Sequence, residues 1–217
     1  ADFRYYFDVI LKPYSKFMVK AIEKIRPLEI SMIAPGHGPV LRKNWKSIVD
    51  ETRRLSEEYL ALTERSGVKR VLITYVSAYG YTAEMARLIA EGASKAENLE
   101  VEVLDIETAD IGLIDSKIAI ADGIIVGSPT INQNTLLPVY NLMAVVSPLR
   151  DRGKLAGSFG SYGWSGEAPS LIAEMLKNLK LKYFEEPAAF KFVPEDGKEK
   201  TLMEYGERFG RALTSPV

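Results

Sequence analysis

A chain of 217 residues and 24.2 kDa has room for one large domain, or for one domain with a smaller attachment. Its 28 basic and 29 acidic residues leave a net charge of -1, so it offers no broad cationic footprint for nucleic acid. With no cysteine and one histidine, it excludes disulfides, iron–sulfur ligation, thiolate zinc sites, cysteine nucleophiles and any two-imidazole chemistry of its own. No apolar run approaches the roughly 20 residues of a membrane-spanning helix, so no membrane role is expected. No export signal opens the chain, which places it in the cytoplasm by default. Residue 1 is Ala rather than Met, which reads as a processed or cut product.

In chain order, apolar residues at Phe3, Phe7, Ile10, Tyr14, Phe17, Ala21 and Ile25 recur every three or four positions, predicting a helical face. Pro13 should kink or break it. Residues 29–33 read as a short strand, leading into Ala34-Pro35-Gly36-His37-Gly38-Pro39, a loop with the one histidine at its tip. A second amphipathic helix is expected over 43–65, with Lys46/Asp50, Asp50/Arg54 and Arg53/Glu57 as pairs along its polar side. Ser66-Gly67 ends it.

From Lys69 the rhythm becomes regular. VLITYV near 71–76 and GIIVG at 123–127 are continuous apolar runs, the mark of strands buried on both faces of a parallel sheet. Strands are further expected at 99–104, 154–160 and 188–193. Helices are expected at 82–96, 110–121, 135–146, 169–179 and 200–213. Five strands alternating with helices predict a three-layer α/β domain with a five-stranded parallel sheet. The boundary falls near Ser66–Lys69, giving domains of 1–66 and 67–217. The first is too small to bury a sizeable core alone, and reads as the tail of another domain.

Ligands of such a sheet sit beyond the carboxyl ends of its strands, where the strand order reverses. After the first strand comes Ser77-Ala78-Tyr79-Gly80-Tyr81-Thr82, running straight into a helix. Its hydroxyls and the free amides of the helix start form an anion cradle. The cradle lacks the lysine of nucleoside-triphosphate loops and the glycine spacing of dinucleotide loops. Ser77 and Thr82 could equally serve only as caps. After the third strand comes Ser128-Pro129-Thr130-Ile131-Asn132, and after the fourth Gly160-Ser161-Tyr162-Gly163-Trp164, both without charge. Small residues there admit a planar ring, and Tyr162 and Trp164 offer walls for stacking. Any one loop could be a glycine-rich turn with aromatics covering the sheet edge. The conjunction of three uncharged loops at the three places the fold reserves for one ligand points to a binding site.

These motifs are recognisable. S-x-Y-G-x-T at Ser77–Thr82, S-P-T-I-N at Ser128–Asn132 and F-G-S-Y-G-W-S at Phe159–Ser165 resemble the flavodoxin domain of flavodiiron proteins (A-type flavoproteins). The first 66 residues are similar to the C-terminal end of that family's other domain, a metallo-β-lactamase-like αββα fold holding two irons. The resemblance implies a flavodoxin-like FMN domain. Ser77, Tyr79, Gly80, Tyr81 and Thr82 would be at the phosphate. Ser128, Pro129, Thr130, Ile131 and Asn132 would line one side of the flavin, and Gly160, Ser161, Tyr162, Gly163 and Trp164 the other. His37 would be one iron ligand. The remaining ligands would come from an N-terminal half that this chain lacks, so one histidine cannot complete the di-iron centre. The resemblance further implies a homodimer, an electron donor such as rubredoxin or a flavin reductase, and reduction of dioxygen or nitric oxide. The alternative is a stand-alone flavodoxin-type carrier whose chemistry stops at FMN.

Overall fold

The apolar run at 71–76 forms a central strand because it has core to fill on both sides. In β1 (Lys69–Tyr75), Val71 and Ile73 face one layer of helices while Leu72 faces the other, and all three are buried. The computed structural model describes residues 2–63, 67–192 and 198–215. Within them the chain divides into two compact units, Ala1–Arg65 and Ser66–Val217.

In the second unit β1 lies between β2 (Leu99–Asp105) and β3 (Gly123–Gly127), and β4 (Leu155–Tyr162) follows β3. All pair in parallel, so Tyr75, Asp105, Gly127 and Tyr162 end at one rim. The order 2-1-3-4 puts the reversal between β1 and β3, where adjacent connections leave the sheet in opposite directions and open a crevice. On one face, α4 (Tyr81–Ala93) and α8 (Lys198–Thr214) pack around Met85, Ile89, Leu202 and Phe209. On the other, α5 (Ile111–Ile120), α6 (Leu137–Val145) and α7 (Glu167–Asn178) pack around Ile114, Leu142 and Ile172.

The last strand differs from expectation. It comes in two pieces, both paired with β4: β5 (Lys182–Tyr183) along its first half and β6 (Ala188–Lys191) along its second. Pro187, with no N–H to give a ladder, lies in the gap. Val193, placed in that strand from the sequence, lies outside the described residues. β4 itself runs two residues further than expected, so Ser161 and Tyr162 are strand like Gly160, each paired with β6.

In the first unit the expected long helix is broken around Pro13, as its chemistry requires. It consists of α1 (Asp2–Tyr6), a π turn over Phe7–Leu11, a 3-10 turn over Lys12–Tyr14, and α2 (Ser15–Ile25). The wide turn, with the Lys12 N–H donating to the Phe7 carbonyl, and the tight turn after it reset the helical phase. Among the described side chains the buried positions here are Phe7, Ser15 and Ile22, whereas Phe17 is 67% exposed. Residues 29–33 do not form a strand; Ile33 makes a lone antiparallel bridge to Leu41, closing the loop that carries His37. α3 (Trp45–Thr63) follows, with 64–66 outside the described residues. Along it Arg53 pairs with Glu57 at 2.7 Å, and Arg54 bridges Glu51 and Glu58 in place of Asp50.

Candidate functional site

Where β1 ends at the rim, Gly80 adopts φ +85°, a left-handed conformation that costs glycine nothing and turns the chain into α4. A helix leaves its first amides without intrahelical acceptors. Here the Glu84 N–H is taken by the Gly80 carbonyl at 3.0 Å and the Ala83 N–H by Ser77 Oγ at 3.3 Å. The amides of Tyr81 and Thr82 open α4 at its positive end, the kind of place that favours an anion. Tyr79 beside them is 79% exposed.

After β3 the chain makes a miniature hairpin. Ile131 and Asn134 exchange backbone hydrogen bonds of 3.1 Å, and both residues between them, Asn132 and Gln133, have positive φ (54° and 55°). This is the geometry of a type I′ turn, which asparagine accommodates readily and which at Gln133 carries strain. The strut is Asn134, whose Oδ1 accepts from the Thr135 N–H at 2.8 Å and from Tyr140 Oη at 2.7 Å. Ser128 is wholly buried and works inside the loop: its Oγ donates to the Pro129 carbonyl at 3.0 Å and accepts from the Leu136 N–H at 3.1 Å. Pro129 behind it is buried. Ile131 is 39% exposed at the tip.

The third piece of the rim is the end of β4 and the turn after it. A Cβ on Gly160 would lie 2.1 Å from the Ser128 carbonyl oxygen, so this glycine lets two loops touch. Tyr162 folds back against Gly166, whose added Cβ would be 3.1 Å from its ring. Gly163 similarly makes room for the Phe192 ring, 3.0 Å from where its Cβ would be. Trp164 projects from this packed turn and is 96% exposed. Tyr79, Trp164 and Phe192 are thus exposed aromatics of the rim, while Tyr162, at the end of β4, is half-buried.

The three segments are tied together by their own polar groups. The Thr130 N–H donates to the Ser161 carbonyl at 2.9 Å, and Thr130 Oγ1 accepts from the Ala168 N–H at 3.1 Å. Thr82 Oγ1 and Ser161 Oγ lie 2.9 Å apart. Sequence reasoning named these residues but not their pairings, and it missed a strut beneath them. Ser158 Oγ donates to the Pro169 carbonyl at 2.7 Å and accepts from Tyr183 Oη at 2.5 Å, fixing the start of α7. Burial, opposed by that Ser158 bond, pushes the Tyr183 phenol up to about 12. Also missed is Glu167, the first residue of α7, whose Oε2 is buried with no hydrogen-bond partner among the described residues. Its place directly after the uncharged turn was the available signal.

His37 is exposed on its loop in the first unit. Among the described residues no group of three His, Asp or Glu side chains could hold a metal ion. None of the described helices is long and apolar enough to cross a membrane.

A 2-1-3-4 parallel sheet with an anion cradle after β1 and uncharged, glycine-cleared turns after β3 and β4 defines a flavodoxin-type mononucleotide site. The chain belongs to the flavodoxin family, whose model matches residues 73–206. Over 98% of its length it is 40% identical to a type A flavoprotein of Rhodobacter capsulatus, of which it covers 48%. It is 35% identical to a flavo-diiron protein of Clostridium acetobutylicum, covering 98% of this chain and 52% of that one. Among solved structures it superimposes on rubredoxin oxygen:oxidoreductase from Desulfovibrio gigas with a TM-score of 0.73 and 30% identity, over 96% of this chain and 51% of that one. The chain therefore spans about half the length of the curated relatives it matches. These similarities cover nearly the whole chain, well beyond the flavodoxin match.

The cofactor that this family implies is FMN, and the residues present fit it. Neutral amides and hydroxyls would face its phosphate, the space beside Gly80 is open for at least 4 Å, and exposed aromatics flank turns without charge.

Proposed function

We propose that this chain is the FMN-bearing, electron-transferring portion of a flavodiiron-type oxidoreductase. The observation that carries the reading is the rim itself, three uncharged segments from distant parts of the sequence bound to one another by Thr82, Thr130 and Ser161. FMN would supply reversible one- and two-electron chemistry there. The protein's part is positional. The Tyr81 and Thr82 amides and the α4 dipole hold the phosphate, and the 128–132 segment lines one side of the ring. Ser161 to Trp164 line the other side, and Trp164 limits access of water to it.

Similarity to flavodiiron relatives across residues 1–65 supports reading the first unit as the end of a metallo-β-lactamase-like domain, with His37 as one iron ligand. The other ligands would come from an N-terminal half. Together they would reduce dioxygen or nitric oxide with electrons from rubredoxin or a flavin reductase, in the cytoplasm. A homodimer is part of the same proposal. Its support is α6, whose exposed side presents Leu137 and Tyr140 and whose sequence, LPVYNLMAV, holds no charge at all.

Titration of the purified chain with FMN, followed by flavin fluorescence, tests the rim; saturable quenching at one FMN per chain is expected. Iron analysis after mixing with the N-terminal half of a flavodiiron relative tests the rest. Iron retained by the mixture and lost in His37→Ala supports the oxidoreductase. FMN binding with iron indifferent to His37 would leave a simple electron carrier.

A further inference from the structure

An acid is fastened to the neutral rim. Glu167 opens α7, and both of its chain neighbours are held by residues of the ring-lining segments. On one side Gly166 packs on Tyr162, its would-be Cβ 3.1 Å from that ring. On the other, the Ala168 N–H donates to Thr130 Oγ1 at 3.1 Å. Glu167 is thereby kept where the second and third segments meet. Its Oε2 is buried and has no hydrogen-bond partner among the described residues. The charges around it are committed elsewhere. Lys177 on the same helix pairs with Glu174 at 2.8 Å, and Lys191, opposite Tyr162 in the ladder, lies over the Phe192 ring at 5.8 Å. The acids nearer the other segments are engaged as well: Glu84 with Arg87 at 2.6 Å, and Asp105 with the Glu107 N–H at 2.9 Å. The positive end of α7 offsets the Glu167 charge only in part. A buried acceptor ordinarily has a donor, so one left without a partner beside a ligand site calls for a reason.

We propose that Glu167 tunes the flavin: its carboxylate, held at the junction of the two ring-lining segments without a cationic partner, makes bound FMN harder to reduce fully. The inference rests on the FMN reading above and names the residue that sets the electron energy at that site. One electron taken up with one proton leaves the ring neutral. A second electron taken up without a proton leaves the ring with one negative charge. A fixed carboxylate close by raises the energy of that charged ring and leaves the neutral, oxidised ring almost untouched. Glu167 therefore acts on the balance between oxidised and reduced FMN rather than on the grip of the rim.

The test uses the full chain loaded with FMN, as wild type, Glu167→Gln, Glu167→Asp and Glu174→Gln. Glu174 lies on the same helix, its side chain 67% exposed, and serves as a control for overall charge. Dissociation constants are measured for oxidised FMN by fluorescence quenching and for dithionite-reduced FMN without oxygen. An electrochemical titration of the bound flavin gives the midpoint potential independently. Glu167→Gln keeps the shape and removes the charge. It should tighten reduced FMN about tenfold relative to oxidised FMN, the scale of one unit charge at close range. That ratio equals about 30 mV upward in the two-electron midpoint potential. Oxidised FMN should stay within about twofold, and Glu167→Asp and Glu174→Gln should keep the wild-type ratio. An unchanged ratio in Glu167→Gln would overturn the proposal, and with both forms of FMN weakened alike it would make Glu167 a packing residue. An equal shift in Glu174→Gln would assign the effect to net charge, and an equal shift in Glu167→Asp would assign it to shape; either overturns the tuning role. Should Glu167→Gln not fold, Glu167→Ser, also neutral, is read by the same ratio. Wild-type chain that holds no FMN would remove the proposed function, whereas FMN bound with an unmoved ratio would remove only the role of Glu167.

Discussion

The two ends of the parallel sheet are built from different chemistry. At the carboxyl rim, the segments at 77–82, 128–135 and 160–166 contain no charged residue and are joined through hydroxyls and amides. At the opposite end, between α6 and β4, Asp151 is completely buried and clasped by cations. Arg150 reaches both its oxygens at 3.0 and 2.9 Å, and Lys154 lies at 2.9 Å. Arg150 extends to Asp115 at 2.6 Å, and Lys154 caps the end of α5 through the Ile118 and Ala119 carbonyls at 2.6 and 3.1 Å. Burial works to keep Asp151 neutral, but the Arg150 hydrogen bonds and the Lys154 charge prevail and hold its carboxyl below the usual range. The buried, mutually paired charges sit at the end of the sheet away from the rim. Neutral groups, which can exchange one partner for another at little cost, line the rim where FMN is proposed to bind.

The largest expected effect breaks the base without touching the rim. Asp151→Ala strands Arg150 and Lys154 in a buried setting and should cost about 3–5 kcal/mol in urea unfolding. FMN affinity of the folded fraction should be unchanged; a loss of affinity would mean the two ends are coupled. The same group sets a pH dependence. Because its folded pKa is depressed, Asp151 contributes stability above the ordinary carboxylate pKa of about 4, and that contribution fades as pH falls through the folded value. Acid titration of unfolding should therefore be shallower in Asp151→Ala than in wild type.

Next comes Gly160→Ala, at the rim, where the new Cβ would meet the Ser128 carbonyl. Prying those segments apart should cost about 1–3 kcal/mol of stability, and calorimetry should show FMN binding weakened with it. Preserved FMN affinity would show that the ring site does not need this close approach. Trp164→Ala should move stability by no more than about 0.5 kcal/mol, because the side chain is almost wholly exposed. It should weaken FMN about threefold to tenfold and raise residual flavin fluorescence, the worth of one aromatic stack. The smallest effect is that of salt. A phosphate held by amides without a cation should change affinity less than about twofold over a tenfold range of sodium chloride. A steep dependence would place an unrecognised cation at the rim.

Much of this architecture is legible in the chain because it is local. β1 and β3 announce themselves as unbroken apolar runs, and the rim turns announce themselves by lacking charge where solvent would be expected. What escapes is what depends on partners far along the chain. The division of the last strand depends on which half of β4 each piece finds, and the phase of the first helix depends on a π turn that no periodicity reveals. Thr82, Ser128 and Thr130 are visible as polar residues in the right turns. Their hydroxyls engage Ser161, the Leu136 amide and the Ala168 amide, pairings that only the folded chain creates.

The central claim is that this neutral rim holds FMN by its phosphate as well as by its ring, and a native mass spectrum tests it most directly. Chain equilibrated with equimolar FMN and riboflavin should retain one FMN per 24.2 kDa chain and little riboflavin. Equal retention of the two flavins, or a bare chain, would contradict the account.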